Sequence, residues 1–459
     1  MLREKEETIA AIATPLGEAG IAVVRLSGPE STAVAARVFR GKADLKEVAS
    51  HTIHFGKICQ PTGESIDQVL VSVFRAPHSY TGEESVEISC HGSYYVATKI
   101  LETVIANGAR LADPGEFTKR AFLNGKMDLM QAEAVADLIH SKTEMSHRAS
   151  MEQLSGRLSK AISELRERLL QICSLLELEL DFAEEGIELS DKGRVDSAFD
   201  DAITEIKELI SSYGVGKLIR EGVKVVLAGN PNAGKSSLLN LLLRENRAIV
   251  SEQPGTTRDV IEESIVIHGV AFRLVDTAGL RSTRDAVEQE GVRRSSSQIE
   301  AADLILLIVD SSIEGAIQDP HLTEILQQAP EKMILVFNKV DLLRARSSLE
   351  APVGIDSVNI SCETGEGIQD LVGKIYRRAI GSFDSVSSSI KVQNARHLEL
   401  LRKTSDSLIS AKKALEESLG GELVAIDLHA ALNSLGEIAG LTTPDDVLNS
   451  IFSRFCIGK

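Results

Sequence analysis

The chain has 459 residues, too many for one hydrophobic core, and a prior of about 150 residues per domain predicts about three domains. Charged residues make up 25% and apolar ones 43%, as in a folded soluble protein, but the formal net charge is −17. That balance excludes nucleic-acid binding over the whole surface, which needs Lys and Arg to displace phosphate counterions, so any RNA role needs a local basic patch or a basic partner.

Aromatic residues are only 4% of the chain, with no Trp, so no stacking platform for single strands is advertised. The five cysteines, Cys59, Cys90, Cys173, Cys362 and Cys456, are an odd number and contain no C-x-x-C. Neither a disulfide framework nor a zinc site is indicated, and a reducing cytoplasm fits best. The opening MLREKEETIAAIATP has no long apolar stretch before a cleavage site, and no apolar run approaches the ~18 residues that span a bilayer. The reading is neither secreted nor membrane-embedded.

From Ile9 to about Asp113, short β-rich runs alternate with turns: IAVVRLSG, HTIHFGKI, DQVLVSVF and SVEISCHG. With STAVAARVF as its first helix, this stretch reads as an α/β or α+β domain over 1–118. From about Leu129 the texture turns helical and lacks Pro. Leu154, Leu158, Ile162, Leu165, Leu169, Ile172 and Leu176 recur at three- and four-residue steps, predicting the stripe of one long packed helix within a first helical segment over 119–216. From Val223 to about Ile380, the apolar strands VKVVLAG, AFRLVD, DLILLIVD, MILVFN and SVNIS alternate with helical segments, predicting a mostly parallel sheet covered on both faces over 217–381. The Ser-rich joint SFDSVSSSI then leads back to helical sequence over 382–459. The economical model is a discontinuous helical domain carrying an inserted α/β domain.

The chemistry sits in that insert. VKVVLAGNPNAGKSSLLN is a strand, a Gly-rich loop and a helix, and Gly229, Gly234, Lys235 and Ser236 match G-x-x-x-x-G-K-S in the required context. Backbone N–H groups of such a loop wrap phosphates, Lys235 reaches the β/γ oxygens, and Ser236 is a magnesium ligand. Ala233 and Ser237 belong to the same cradle. Asp276 ends a strand and opens DTAG, so Asp276, Thr277, Ala278 and Gly279 are placed to face the γ-phosphate and its metal. In NKVD, Asn338, Lys339 and Asp341 close another strand. Asp341 can accept from both the ring N–H and the amine of guanine, which selects GTP, because adenine would leave the carboxylate unpaired.

Between these motifs lies SEQPGTTRD, where Thr257 is placed as a second magnesium hydroxyl, released after hydrolysis. The residue after DTAG is Leu280, which cannot orient water as a Gln does there in Ras-type enzymes. Either hydrolysis is slow or another residue takes that task, for which the following segment offers Glu288 and Glu290.

The chain ends in FCIGK. Gly458 and Lys459 fit a prenylation box poorly, and the preceding residues are not basic, so a lipid anchor is rejected.

Together these residues resemble the MnmE (TrmE) family of tRNA-modifying GTPases over the entire chain. The carriers are TIAAIATPLGEAGIAVVRLSG, DPGEFTKRAFLNGKMDLMQAEAVADLI, GNPNAGKSS, PGTTRD, DTAGLR, NKVD and the terminal CIGK. The G-motifs are widespread, whereas the N-terminal blocks and CIGK are far more specific. The resemblance implies that Asn232, with the loop Ser251 to Thr256 including Gln253, holds potassium, whose charge replaces an arginine finger. It makes Glu288 the water-positioning residue, and assigns Ser361 and Cys362 to the guanine-contacting loop. It implies a tetrahydrofolate-binding-like N-terminal domain that forms a homodimer, with a one-carbon folate (5-formyl- or methylene-tetrahydrofolate) held by Arg25, Glu87, Lys126 and Lys459. It further implies a flavin protein, MnmG, as partner in adding an aminomethyl or carboxymethylaminomethyl group to C5 of the wobble uridine of certain tRNAs. That partner could bring the basic surface this chain lacks.

Two departures stand out. Glu363 follows Ser361-Cys362 where a cation often sits, and Gln253 replaces a commonly apolar residue. Cys456 is open to two readings: a reactive thiol, or a small buried hydrophobe, the common fate of free Cys. A different class of function, a switch gating ribosome assembly, shares the G-motifs and is separated only by the N-terminal blocks and CIGK.

Overall fold

The computed structural model describes residues 7–181, 192–246, 262–276, 298–313, 315–343, 351–380, 391–417 and 419–459. Two compact units emerge: Met1–Ala136 with Gln153–Asp196 and Asp406–Lys459, and Asp137–Glu152 with Ser197–Ser405.

In the first unit, strands β1 (Ile9–Ile12), β2 (Ala19–Ser27), β3 (Phe39–Gly41), β4 (Thr52–Cys59), β5 (Ser65–Phe74), β6 (Ser85–Gly92) and β7 (Arg110–Leu111) form a sheet in the order β3-β4-β5-β6-β2-β1-β7. Its pairings are antiparallel except for β1 with β7. Alternation sorts the side chains. Val24 and Leu26 of β2, Val69, Val71 and Val73 of β5, and Val86 and Ile88 of β6 are buried in one core with the helices Ser31–Val38 and Tyr94–Ala106. Each such burial contributes about 1.5–3 kcal/mol. The period of two sends Arg25 and Glu87 to the opposite face, where they stand directly across from each other in the β2–β6 register. A smaller cluster, Ile9, Ala11, Ala112 and Phe117 with Tyr80 against it, covers that side.

The helical part of this unit pairs Arg157–Asp181 with Gly421–Ala439. Leu158, Ile162, Leu165, Leu169, Ile172 and Leu176 are all buried, the expected stripe. Leu154 is an exception to the single-helix expectation. It ends the preceding helix, Glu144–Leu154, because Gly156 takes a left-handed conformation (φ 79°) that stops helical continuation. The last described helix, Asp445–Phe452, packs through the tilted rings of Phe122, Phe452 and Phe455.

In the second unit, β8 (Val223–Gly229), β9 (Glu262–Ile267), β10 (Val270–Asp276), β11 (Leu304–Asp310), β12 (Met333–Asn338) and β13 (Asp356–Asn359) form a six-stranded sheet in the order β13-β12-β11-β8-β10-β9. All pairs are parallel except β9 with β10. The central strands read as continuous apolar runs because both faces are covered. Lys235–Asn246 and Ile368–Ile380 lie on one face and Pro320–Gln328 on the other. The helices Glu144–Leu154 and Lys192–Glu221 meet through Ala149, Val215 and Ile219. Among the described residues, no helix is long and apolar enough to cross a membrane.

Candidate functional site

In the second unit, β8, β10 and β12 deliver Gly229, Asp276 and Asn338 to the carboxyl edge of the sheet, where ligands bind in open α/β folds. Gly229 (φ 138°) and Gly234 (φ 100°) hold conformations that L side chains rarely adopt. A Cβ on Gly229 would strike the Ile308 carbonyl, and one on Gly234 would strike the Asn338 amide. Asn232, also left-handed at φ 63°, sits exposed at the loop tip. Lys235 Nζ donates to the carbonyls of Gly229 (2.9 Å) and Asn230 (2.8 Å), so the ammonium already lies across the loop.

Ser236 Oγ donates to Asp276 Oδ2 at 2.9 Å, which places the two proposed metal-shell oxygens together. Ser237 is exposed in the helix Lys235–Asn246, and Ala233 is buried behind the loop. The Asn338 amide is buried. It donates to the Ala233 carbonyl at 2.8 Å and accepts from Cys362 N–H at 3.2 Å. Cys362 thus reaches Asn338 through its backbone N–H, and its thiol hydrogen-bonds the same side chain. Burial pushes its thiol up to about 11, with the hydrogen bond to Asn338 opposing the rise and the Asp341 charge adding to it. Ser361 is buried, and its hydroxyl accepts from Thr364 N–H. Asp341 is exposed at the mouth of the site, in the short turn Val340–Leu342.

Sequence reasoning missed Asp310. Lys339, held left-handed (φ 65°), places Nζ 2.6 Å from Asp310 Oδ2 at the end of β11. Burial raises the Asp310 carboxyl, but Lys339 and Ser312 outweigh it and hold the group below the usual carboxylate range. The signal was available: DLILLIVD ends in Asp just as AFRLVD does. Ser251, Gln253, Thr256, Thr257, Thr277, Ala278, Gly279, Leu280, Glu288 and Glu290 lie outside the described residues.

In the first unit, three of the four predicted folate residues converge. Arg25 contacts Glu87 Oε1 through both Nε (2.9 Å) and Nη2 (2.8 Å), which leaves Oε2 outside the pair. The Arg25 guanidinium lies over the Tyr80 and Phe117 rings, 5.5 and 5.7 Å from their centroids. From the chain's end, the Gly458 carbonyl accepts from Arg25 Nη1 at 3.5 Å, and Lys459 Nζ stands 5.9 Å from the Tyr80 ring. Gly458 must be glycine here, since at φ 97° a Cβ would strike the Ile12 carbonyl. Burial and the Arg25 charge lower the Lys459 ammonium from its usual range, against the Glu87 carboxylate. Lys126 is set on the neighbouring loop, donating to the Pro77 carbonyl at 3.1 Å. Tyr80, whose hydroxyl pairs with Thr118 at 2.9 Å, and Phe117 were not legible as site residues, because aromatic side chains in a chain of this length usually serve a core. Cys456 is exposed, so its reading as a buried hydrophobe is corrected: the last turn projects its thiol outward while Phe455 fills the core beneath.

The family model for the GTP-binding protein TrmE N-terminus matches residues 8–126, and that for the MnmE helical domain matches residues 129–456. The chain belongs to the MnmE family. The tRNA modification GTPase MnmE of Carboxydothermus hydrogenoformans is 44% identical, covering 99% of this chain and 100% of that relative. Those of Symbiobacterium thermophilum and Salinibacter ruber are 47% and 45% identical, with the same coverage. Among solved structures, the G domain of the T. maritima FeoB iron transporter is similar at 32% identity, covering 34% of this chain and 98% of that one, with a TM-score of 0.26. The two MnmE-family models meet between residues 126 and 129, where the loop carrying Lys126 gives way to the helix Leu129–His140.

Proposed function

We propose that this chain is a GTP hydrolase acting in tRNA modification, and that it works at the wobble uridine together with a flavin protein of the MnmG type. The observation that carries the nucleotide part is the loop at Gly229–Ser236. Both glycines are left-handed, each would clash if given a Cβ, and the lysine amine lies across the loop, a cradle shaped for phosphate. Asn338 locks that cradle to the strand end bearing Asp341, which reads guanine.

The residues fit magnesium: Ser236 and Asp276 bring two hard oxygen donors together, with Thr257 as a further ligand. Bound there, Mg2+ neutralises charge building on the phosphate oxygens. Lys235 holds the β/γ oxygens, the Gly279 N–H meets the γ-phosphate, and Glu288 aligns the attacking water, the task Leu280 cannot perform. Asn232 and the carbonyls of Ser251 to Thr256 hold potassium, and homodimerisation through the N-terminal domain brings two such chains together.

The group around Arg25 suits a one-carbon tetrahydrofolate. Glu87 offers a carboxylate to ring N–H donors, the half-buried Tyr80 offers an aromatic face while the buried Phe117 backs the Arg25 guanidinium, and Lys126 and Lys459 offer positive charge to the glutamate tail. The cytoplasm is the compartment this reading requires. Mass spectrometry of tRNA nucleosides from a deletion strain tests it. Loss of the C5 substituent at the wobble uridine, restored by the intact gene, is expected; normal modification with abnormal ribosome profiles would overturn it in favour of an assembly switch.

A further inference from the structure

Away from both sites, the helical part of the first unit brings Cys173, Glu177 and His429 together. Among the described residues, this is the group of His, Cys and acidic side chains with ligand atoms all within 4.8 Å of one another. Cys173 and Glu177 are one turn apart on Arg157–Asp181 and share a face, while His429 comes from Gly421–Ala439. Cys173 Sγ lies 3.8 Å from both Glu177 Oε1 and His429 Nε2, and His429 Nε2 lies 2.7 Å from Glu177 Oε1.

Those separations are close to what one ion demands. Zinc bonds of about 2.3 Å to sulfur and about 2.0–2.2 Å to nitrogen or oxygen, at tetrahedral angles, put the donors roughly 3.3–3.6 Å apart. The two sulfur distances need to close by only about 0.2–0.3 Å, and the nitrogen–oxygen contact needs to open by roughly 0.6 Å, within the reach of side-chain rotation. The scaffold beneath is fixed. Leu169, Ile172 and Leu176 on one helix and Ala425, Leu428 and Leu432 on the other are buried, so the ligand-bearing backbones are held in place.

We propose that Cys173, Glu177 and His429 form a transition-metal site suited to Zn2+, with the fourth position left to water or a small anion. Thiolate and imidazole select zinc or its close relatives over Mg2+ and Ca2+, which take all-oxygen sets, so the site does not compete for the magnesium of the nucleotide loop. Binding forms a metal–sulfur bond and sends the Cys173 S–H proton to solvent. His429 binds as the neutral imidazole through Nε2, giving up its contact with Glu177. Glu177 and His429 are exposed, so an ion can enter from solvent, while Cys173 anchors it from below.

Titration of the full chain with Co2+, a spectroscopic stand-in for zinc, tests this. One equivalent should produce a sulfur-to-cobalt charge-transfer band, and Zn2+ should bleach it. Cys173→Ser should abolish the band, and His429→Ala and Glu177→Ala should each weaken binding at least about tenfold. Circular dichroism and GTP binding report that each variant remains folded. Absence of the band in the wild-type chain, its persistence in Cys173→Ser, or wild-type affinity in His429→Ala would each overturn the site.

Discussion

The side-chain amide of Asn338 donates to the Ala233 carbonyl at 2.8 Å while its oxygen accepts from Cys362 N–H at 3.2 Å. One buried side chain thereby joins the Gly229–Ser236 loop, the end of β12 and the loop after β13. Asn338→Ala leaves buried backbone groups without partners, a cost of about 1–3 kcal/mol, and loosens both halves of the nucleotide site. Titration with a fluorescent GDP analogue should show at least about tenfold weaker binding, the equivalent of ~1.4 kcal/mol. Unchanged affinity would mean the tie does not organise the site.

Ser236 and Asp276 share a 2.9 Å hydrogen bond at the predicted magnesium position. Ser236→Ala should therefore weaken GTP binding at least about tenfold in Mg2+, with a much smaller change in EDTA. Equal losses in the two media would assign Ser236 to packing instead.

Potassium should raise GTP turnover over sodium at equal ionic strength, and Asn232→Ala should remove most of that difference while leaving the sodium rate in place. Glu288→Ala should lower turnover at least about tenfold in either salt. Steady-state phosphate release in the two salts decides both points.

Arg25 is held between Glu87, the two rings and the chain's last residues, so Arg25→Ala should cut the affinity for 5-formyl-tetrahydrofolate severalfold without changing GTP binding. Isothermal titration with each ligand separates the two effects. Cys456 is exposed and contributes little packing, so Cys456→Ser should preserve the melting temperature and GTP hydrolysis while abolishing tRNA modification. Retained modification would remove the thiol from the chemistry.

Glu116 and Arg120 form an ion pair at 2.9 Å that is almost fully shielded from solvent, and Arg110 joins it at 2.6 Å. Burial pushes the Glu116 carboxyl up, but hydrogen bonds from Arg110, the Asp113 amide and Arg120 outweigh it and hold the group below its ordinary 4.5. A folded-state value below the unfolded one means the stabilisation is present in full above the unfolded value and is lost as pH falls through the folded value. Glu116→Gln should flatten the acid limb of a melting-temperature profile and cost about 1–3 kcal/mol near neutrality through weakened hydrogen bonds, since Arg120 keeps Glu83 at 3.2 Å and Arg110 keeps Glu7 at 2.7 Å. An acid limb identical to that of the unaltered chain would contradict this.

Much of the second unit was legible because its signals are local. Strand period, helix-forming runs and the spacing from Gly229 to Ser236 are set by neighbouring residues, and β8, β10, β11, β12 and β13 fall on the apolar runs that announce them. Leu154 shows where locality failed: a three- and four-residue stripe continues in sequence across Gly156, but one left-handed residue divides it between two helices.

The first unit's site is the opposite case. Arg25 faces Glu87 because of strand register, and Tyr80 and Phe117 close on Arg25 because of packing on the sheet's second face. Gly458 arrives from 433 residues away. Cys173 and His429 likewise meet across 256 residues, with none of the close spacing by which a metal site is read from a chain. The sequence by itself determined the nucleotide loop and the sheet that carries it, since hydrogen-bond geometry and side-chain period act within a few residues. Only the tertiary structure decided which distant residues share a site, since register and helix packing depend on burial across the whole domain.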